Sequence, residues 1–183
     1  MPIAGANVSR DELIGRARDL APAIAARASR TDALRRLPDE THRDLVESGL
    51  YRLYQPRRYG GYESDFALQI DIAAELGRGC GSTAWVHSIL ASHGWVQGMM
   101  TERCQDEVWG DDPNVVIASA NPTRGATMEE VDGGYLLDGK WSFSSGVDHC
   151  EWTHLNVLVP RPGAPAEHIF IAAPRSDYEI VDD

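Results

Sequence analysis

This chain of 183 residues has few cysteines, a shortage of positive charge and no long apolar run. Its three cysteines, none of them paired in a C-x-x-C motif, argue against a disulfide framework and against a cysteine-rich zinc site. No run approaches the roughly 18 to 20 apolar residues that a membrane-spanning helix needs. The first residues also lack a basic segment followed by an apolar stretch, so no signal peptide is predicted and a cytoplasmic location is expected.

The charge balance excludes further classes of partner. Lysine and arginine number 17 against 28 aspartate and glutamate residues, which gives a net charge of −11. Phosphates and anionic lipids attract basic surfaces, so neither nucleic acid nor a membrane is an expected partner. Glycine-rich phosphate-binding motifs are missing as well, and nothing suggests that the chain binds NAD(P)H or ATP in the usual way.

The first part of the chain predicts a helical domain over residues 1–111. Ser9 and Glu12 fit a capping box at the start of the first helix. Apolar residues at helical spacing then define each successive helix. The predicted helices cover about 11–28, 38–49, 64–78, 82–99 and 101–110.

Two of these helices carry packing predictions. The helix over 82–99, which includes Trp85, Ile89 and Met99, is apolar nearly all round, and this pattern favours a buried helix. The residues predicted to face the core from the helix over 64–78 are Phe66, Ile70, Ala73, Ala74 and Gly77.

The composition changes at Asp111-Asp112-Pro113, and residues 112–183 predict a β domain. The Asp132-Gly133 and Asp138-Gly139 pairs are typical of tight hairpin turns. We therefore expect an α+β fold, in which an all-α domain precedes an antiparallel β domain. Residues 177–181 also read as a strand or its lead-in, so the β domain is expected to be incomplete at its end. The other predicted strands cover about 115–118, 135–137, 140–141, 152–159 and 168–173.

The segment from Trp141 to Trp152 is the most informative for chemistry. Two adjacent hydroxyls, Ser144 and Ser145, follow Phe143 and precede a glycine. Such a turn can offer hydroxyl and backbone N–H groups beside an aromatic ring, which is what a planar redox-active heterocycle needs. The alternative is an ordinary Ser-Gly turn with a core aromatic residue.

Histidines supply the other candidates. His93 follows Trp85 by eight residues, so the two lie within about 80° of each other around a helix axis. A neutral histidine in a pocket can accept a proton from a weak acid. The alternative, for His93 and for the weaker candidate His87, is a core histidine bonded to a backbone carbonyl. The spacing of His149 and His154 matches no strong zinc pattern, so no metal is predicted.

Several short segments, each weak alone, occur in a specific order and spacing. They are Arg36-Leu37-Pro38-Asp39-Glu40-Thr41, Gln55-Pro56 with Gly60-Gly61, Cys80-Gly81-Ser82-Thr83-Ala84-Trp85-Val86, Glu107-Val108-Trp109-Gly110, Asp132-Gly133-Gly134-Tyr135-Leu136, Ser144-Ser145-Gly146 with Asp148-His149, and Pro174-Arg175-Ser176-Asp177-Tyr178-Glu179-Ile180. Together they resemble the acyl-CoA dehydrogenase fold and, within it, the two-component, reduced-flavin-dependent aromatic monooxygenases. Among these, the chain is most similar to members that hydroxylate a phenolic secosteroid. The resemblance covers about residues 11–183.

The resemblance implies roles at the flavin. The dehydrogenase branch fits less well, because Asn121 stands where its Thr-Glu-Pro signature has glutamate and no Gly-Ser-Asp follows. Its Trp-Ile-Thr motif appears here as Phe143-Ser144-Ser145. The resemblance therefore implies that Phe143 stacks on the flavin and that Ser145, or Ser144 in its place, faces flavin N5. Ser119 and Asn121 are implied at the flavin edge.

The resemblance also implies the substrate site and the reaction. His93 matches the histidine that takes the phenolic proton, and Trp85 matches the tryptophan of the same pocket, where it would also keep water from the flavin. Ser119 would help to orient the substrate ring. Reduced flavin, as FMNH2 or FADH2, would react with O2 to a C4a-hydroperoxide that hydroxylates the phenol, without a metal. A flavin reductase would supply the reduced flavin.

The resemblance further implies a homo-oligomer, a homotetramer as in the family. It also implies a protein about twice this length, with a C-terminal four-helix bundle that is expected to be absent from this sequence. Two alternatives to the monooxygenase function remain. In these alternatives, the chain is either an acyl-CoA dehydrogenase-like oxidoreductase, or a truncated non-catalytic fragment or assembly module.

Overall fold

The structure, a computed structural model, describes residues 8–122, 126–161 and 163–181. The chain divides into two compact units, a helical unit through Val116 and a β unit from Ile117 onward. The sequence predicts the domain boundary earlier in the chain, between residues 111 and 112. The structure joins the intervening residues to the helical unit by hydrogen bonds, from Gln55 Nε2 to the Pro113 carbonyl at 3.0 Å and from Trp109 Nε1 to the Val115 carbonyl at 3.2 Å.

The helical unit follows the predicted order of helices, with a break that the sequence did not indicate. Ser9 caps the first helix by accepting a hydrogen bond from the Glu12 amide at 3.2 Å, as the capping box predicts. That helix ends at Ala26, and a short second helix follows Arg27. The helices are α1 (Arg10–Ala26), α2 (Ala28–Leu34), α3 (Asp39–Glu47), α4 (Leu68–Gly77), α5 (Gly81–Gly98) and α6 (Glu102–Trp109). Short 3-10 turns cover Leu50–Arg52 and Arg57–Tyr59.

The core-facing side of α4 differs from the prediction. The structure buries Leu68, Ile72 and Leu76 and leaves Phe66 and Ile70 exposed, Ile70 to 72%. Both sets of residues recur at helical spacing, so periodicity alone does not choose between them. The fully aliphatic stripe faces the core, where each such side chain contributes about 1.5–3 kcal/mol when buried.

The prediction that α5 is buried on every side is also wrong. Trp85 is 62% exposed and Met99 is exposed as well, whereas the polar residues His87 and Gln97 are fully buried. The buried polar groups have backbone partners: His87 Nε2 lies 3.0 Å from the Leu50 carbonyl, and Gln97 Nε2 donates to the Cys104 carbonyl at 3.1 Å. These hydrogen bonds compensate the free-energy cost of burying the two polar side chains.

The β unit contains a mixed sheet rather than an antiparallel one. Its strand order is β4-β1-β5-β6, in which β1 pairs with β5 in parallel and the other pairs are antiparallel; β2 and β3 form a separate hairpin. The long excursion between β1 and β5 makes the parallel pair possible, because parallel neighbours need a crossover of a dozen or more residues. The strands are β1 (Ile117–Pro122), β2 (Thr127–Val131), β3 (Gly134–Asp138), β4 (Trp141–Ser142), β5 (Trp152–Arg161) and β6 (Ala164–Pro174).

Residues 177–181, for which a strand or its lead-in is predicted, form no strand. Arg175–Asp177 forms a 3-10 turn, and the described residues that follow it up to Val181 carry no strand. In the part of the chain that the structure describes, no helix combines the length and apolarity needed to cross a membrane.

Candidate functional site

Phe143 has an unusual backbone at the end of strand β4. Its φ is +61°, in the left-handed region that bulky residues rarely adopt, and its side chain is 94% exposed. The core aromatic of this segment is Trp141, whose Nε1 donates to the Asn156 carbonyl at 2.9 Å. The alternative of a Ser-Gly turn around a core aromatic therefore does not describe Phe143. Strained residues of this kind cluster at functional sites, and here the strain presents an open aromatic face.

The hydroxyls after Phe143 lie in a closed turn. The Val147 amide donates to the Ser144 carbonyl at 3.2 Å, and Gly146 reverses the chain with a φ of +83°. The Ser144 Oγ is buried, and no described residue gives it a hydrogen-bond partner. A buried hydroxyl without a partner costs free energy, so this atom fits a bound polar group better than an empty apo turn.

Ser119 and Asn121 lie on the strand beside this turn. They are two residues apart on β1, so their side chains point to the same face of the sheet. Asn121 pairs with Ser142 of β4, the residue immediately before Phe143. Ser119 pairs with His154 of β5, one step further into the sheet. The β unit thus places Ser119 and Asn121 beside the strand that leads into Phe143.

Trp85 and His93 belong to α5 in the helical unit. Eight residues of helix separate them by about 12 Å along the axis. Trp85 is largely exposed, whereas His93 is only 8% exposed. The helix therefore offers an outward aromatic surface and, two turns later, an imidazole shielded from water.

His87 has the structural role that the sequence analysis gave as its alternative. Its ring is fully buried, stacks on the Tyr51 ring at a centroid distance of 5.6 Å, and bonds to the Leu50 carbonyl. Burial lowers the pKa of His87 to about 4, so its imidazole is neutral near pH 7. A carbonyl accepts at Nε2, which places the ring proton there. His87 is thus a core residue.

Sequence reasoning missed an apolar groove of about 480 Å³ in the helical unit. Phe66 and Ile70 of the α4 region and Ser88 of α5 line it. The rings of Phe66 and Trp95 are nearly perpendicular, with their centroids 5.6 Å apart. The sequence does not predict the groove, because the spacing of Phe66 and Ile70 places both residues in the core. The sequence signal for an exposed apolar surface is that α5 carries more large apolar residues than one core-facing side can bury.

The histidine and cysteine residues near the turn show no metal-binding geometry. Cys150 is buried, burial raises the pKa of its thiol well above the usual value, and its Sγ bonds to the Gly146 carbonyl at 3.3 Å. Within residues 8–122, 126–161 and 163–181, no group of three or more His, Cys, Asp or Glu side chains is arranged to hold a metal ion.

Comparison with known proteins identifies the family. Residues 10–108 match the family described as "Acyl-CoA dehydrogenase, N-terminal domain". The chain belongs to this family. The predicted acyl-CoA dehydrogenase-like fold is therefore confirmed, with a mixed sheet in its β part.

Two curated relatives of this chain are named as oxygenase components of monooxygenases or hydroxylases. The chain is 44% identical over 164 residues to the "Flavin-dependent monooxygenase, oxygenase subunit HsaA" of Mycobacterium tuberculosis, covering 90% of this chain and 41% of that protein. It is 36% identical to the "p-hydroxyphenylacetate 3-hydroxylase, oxygenase component" of Acinetobacter baumannii, covering 97% of this chain and 42% of that protein. The predicted resemblance to oxygenase components is thus confirmed, and the chain spans less than half the length of these relatives.

Solved structures agree with this placement. The crystal structure of HsaA from M. tuberculosis has a TM-score of 0.87 at 40% identity and covers 96% of this chain and 46% of that one. XiaF from Streptomyces sp., solved with FADH2 and glycerol, has a TM-score of 0.87 at 30% identity and covers 95% of this chain and 44% of that one.

Proposed function

We propose that this chain is part of the oxygenase component of a two-component monooxygenase, which uses reduced flavin and O2 to hydroxylate a phenolic substrate. The names of its relatives support the reaction class. The observation that carries the proposal is the turn after β4, where an exposed Phe143 in a left-handed conformation precedes the buried, unpartnered Ser144 Oγ.

The residues of the β unit fit a flavin. When bound, reduced flavin supplies the electrons that activate O2 for transfer of one oxygen atom to the substrate. Phe143 would cover one face of the ring system and exclude water from it. Ser145, or Ser144 in its place, would hydrogen-bond at N5, and Asn121 with Ser119 would contact the edge.

The helical unit would hold the phenol. Trp85 offers an aromatic surface for a planar ring. An imidazole nitrogen of His93, shielded from water, would accept the phenolic proton. The phenolate is more nucleophilic at its ortho carbon than the phenol, so proton removal favours oxygen transfer to that carbon. A steroid-derived phenol is the substrate that the sequence resemblance favours.

The remaining partners follow from this chemistry. A separate flavin reductase would supply FMNH2 or FADH2, because the sequence shows no nicotinamide-binding fingerprint. A homotetramer and a cytoplasmic location stay predictions from the sequence.

Product analysis tests the proposal. The protein that contains this chain is mixed with chemically reduced FMN or FAD, a simple phenol and isotopically labelled O2. We expect an ortho-hydroxylated product that carries one labelled oxygen atom. Reoxidation of the flavin with hydrogen peroxide as the only product would contradict the proposal.

A second candidate, desaturation of an acyl-CoA thioester, is favoured by the family match over residues 10–108. Adding an acyl-CoA to the oxidised flavoprotein under anaerobic conditions tests it. Bleaching of the flavin absorbance would support the dehydrogenase, and an unchanged spectrum would exclude it.

A further inference from the structure

A small hydrogen-bonded turn fixes the backbone that carries Ser144 and Ser145. The Val147 amide donates to the Ser144 carbonyl. The next two hydrogen bonds run from the His149 amide to the Gly146 carbonyl at 3.1 Å and from the Cys150 amide to the Val147 carbonyl at 3.2 Å. The turn begins at Phe143, whose backbone is strained, and reverses direction at Gly146, whose φ is positive. Because strain at Phe143 favours a different backbone conformation, hydrogen bonds near Cys150 are needed to keep the turn closed.

Cys150 provides that contact. Its side chain is 4% exposed, and its thiol donates to the Gly146 carbonyl across 3.3 Å. The same carbonyl accepts the His149 amide, so the thiol adds a second anchor to the glycine that reverses the chain. Because burial raises the pKa of this thiol well above its usual value, it stays protonated and remains a donor throughout the ordinary pH range.

The chain after β6 is hydrogen-bonded to Glu151, the residue that follows Cys150. The Arg175 amide donates to the Glu151 carbonyl at 2.7 Å, and the Arg175 guanidinium both donates to the Tyr178 carbonyl at 2.8 Å and lies 5.0 Å from the centre of its ring. Burial raises the pKa of Tyr178, which lies near Cys150. The buried thiol thus lies beside a hydrogen-bonded segment of the chain.

We propose that Cys150 is a positioning residue for the flavin-binding turn, acting through the Gly146 carbonyl to hold Ser144 and Ser145 in place. This inference rests on the proposed function, in which one of these hydroxyls bonds to flavin N5. Loosening the turn would weaken that bond and let more of the activated oxygen escape as hydrogen peroxide. Cys150 would thereby influence the outcome of the reaction without contacting the flavin.

The test compares two substitutions with a matched control. Cys150→Ala removes the donor, and Cys150→Ser restores a donor on a side chain of similar size. Cys104→Ala alters a cysteine of α6, which belongs to the helical unit. For each protein, one measures hydrogen exchange of the Val147 and His149 amides without flavin, and the ratio of hydrogen peroxide to hydroxylated product with reduced flavin.

Losing one weak hydrogen bond is expected to accelerate exchange of the turn amides roughly threefold to fivefold in Cys150→Ala, with no change elsewhere. The share of hydrogen peroxide should rise by a similar factor. Cys150→Ser should return both quantities toward the values of the parent, and Cys104→Ala should change neither.

Other results overturn the proposal in distinguishable ways. Unchanged exchange in Cys150→Ala shows that the thiol does not hold the turn, and exchange accelerated throughout the chain shows general destabilisation instead. Faster exchange of the turn with an unchanged peroxide share, in a parent that hydroxylates, removes the catalytic consequence and leaves the proposed function intact. A parent that forms no hydroxylated product overturns the proposed function and this role with it.

Discussion

Replacing Phe143 by glycine is expected to stabilise the β unit while impairing its proposed reaction. Phe143 is 94% exposed, so its ring contributes little buried area to the fold. Its φ of +61° is unfavourable for any residue with a Cβ atom and favourable for glycine. The residue with the strained backbone is thus the same residue that is proposed to cover the flavin.

The magnitude follows from two opposing contributions. Relief of the left-handed conformation contributes about 1–2 kcal/mol. The greater freedom of glycine in the unfolded chain costs about 0.4–1 kcal/mol. We therefore expect the free energy of unfolding to rise by about 0.8 kcal/mol, between limits of about 0 and 1.6 kcal/mol. Phe143→Ala keeps the Cβ atom and should stay within about 0.5 kcal/mol of the parent.

Thermal unfolding without flavin measures this effect, since about 1 kcal/mol corresponds to roughly 2–4 °C for a chain of this size. The same Phe143→Gly protein should form less hydroxylated product and more hydrogen peroxide with reduced flavin. A loss of about 3 kcal/mol or more, the cost of truncating a buried phenylalanine, would refute the reasoning, because it would mean that the ring is packed.

Four further predictions concern the rest of the molecule. Ile72→Ala should cost about 2–5 kcal/mol in denaturant unfolding and Ile70→Ala less than about 0.5 kcal/mol, because one side chain is buried and the other exposed; equal losses would contradict the α4 assignment. Because the pKa of His87 is lowered to about 4, its neutral form favours the folded state, and stability should fall as the pH drops from about 6.5 toward 4. His87→Gln should flatten that acid-side decline, and an unchanged profile in this variant would remove His87 as its cause. His93→Ala should retain flavin, measured by equilibrium titration, but lose hydroxylation; normal product formation would exclude His93 from proton transfer. Ser145→Ala should raise the share of hydrogen peroxide, whereas an unchanged share would point to Ser144.

Local chemistry predicted the positions of the helices well. The Ser9 cap forms as the capping box indicates, and the helices other than α2 begin and end within a few residues of the predicted positions, because caps and periodicity act locally. The direction in which α4 and α5 face did not follow from the sequence. That choice depends on which neighbouring segments supply partners, such as the Leu50 carbonyl for His87.

Long-range pairing was the other feature that the sequence could not supply. The parallel register of β1 with β5 joins residues separated by a hairpin and a turn, and no local pattern marks it. The hydroxyl turn was visible as a motif, and the family resemblance gave Phe143 its proposed role. Its left-handed backbone, which distinguishes it from a core aromatic, became apparent in the structure alone.

A rapid oxygen pulse tests the central claim most directly. The protein that contains this chain is mixed anaerobically with reduced FMN or FAD, O2 is added, and the return of the oxidised flavin spectrum is followed. We predict that the oxidised spectrum returns far more slowly than in buffer, because in the proposed function the turn at Phe143 and Ser144 shields the flavin from water. Reoxidation at the rate seen in buffer with both flavins would contradict the account.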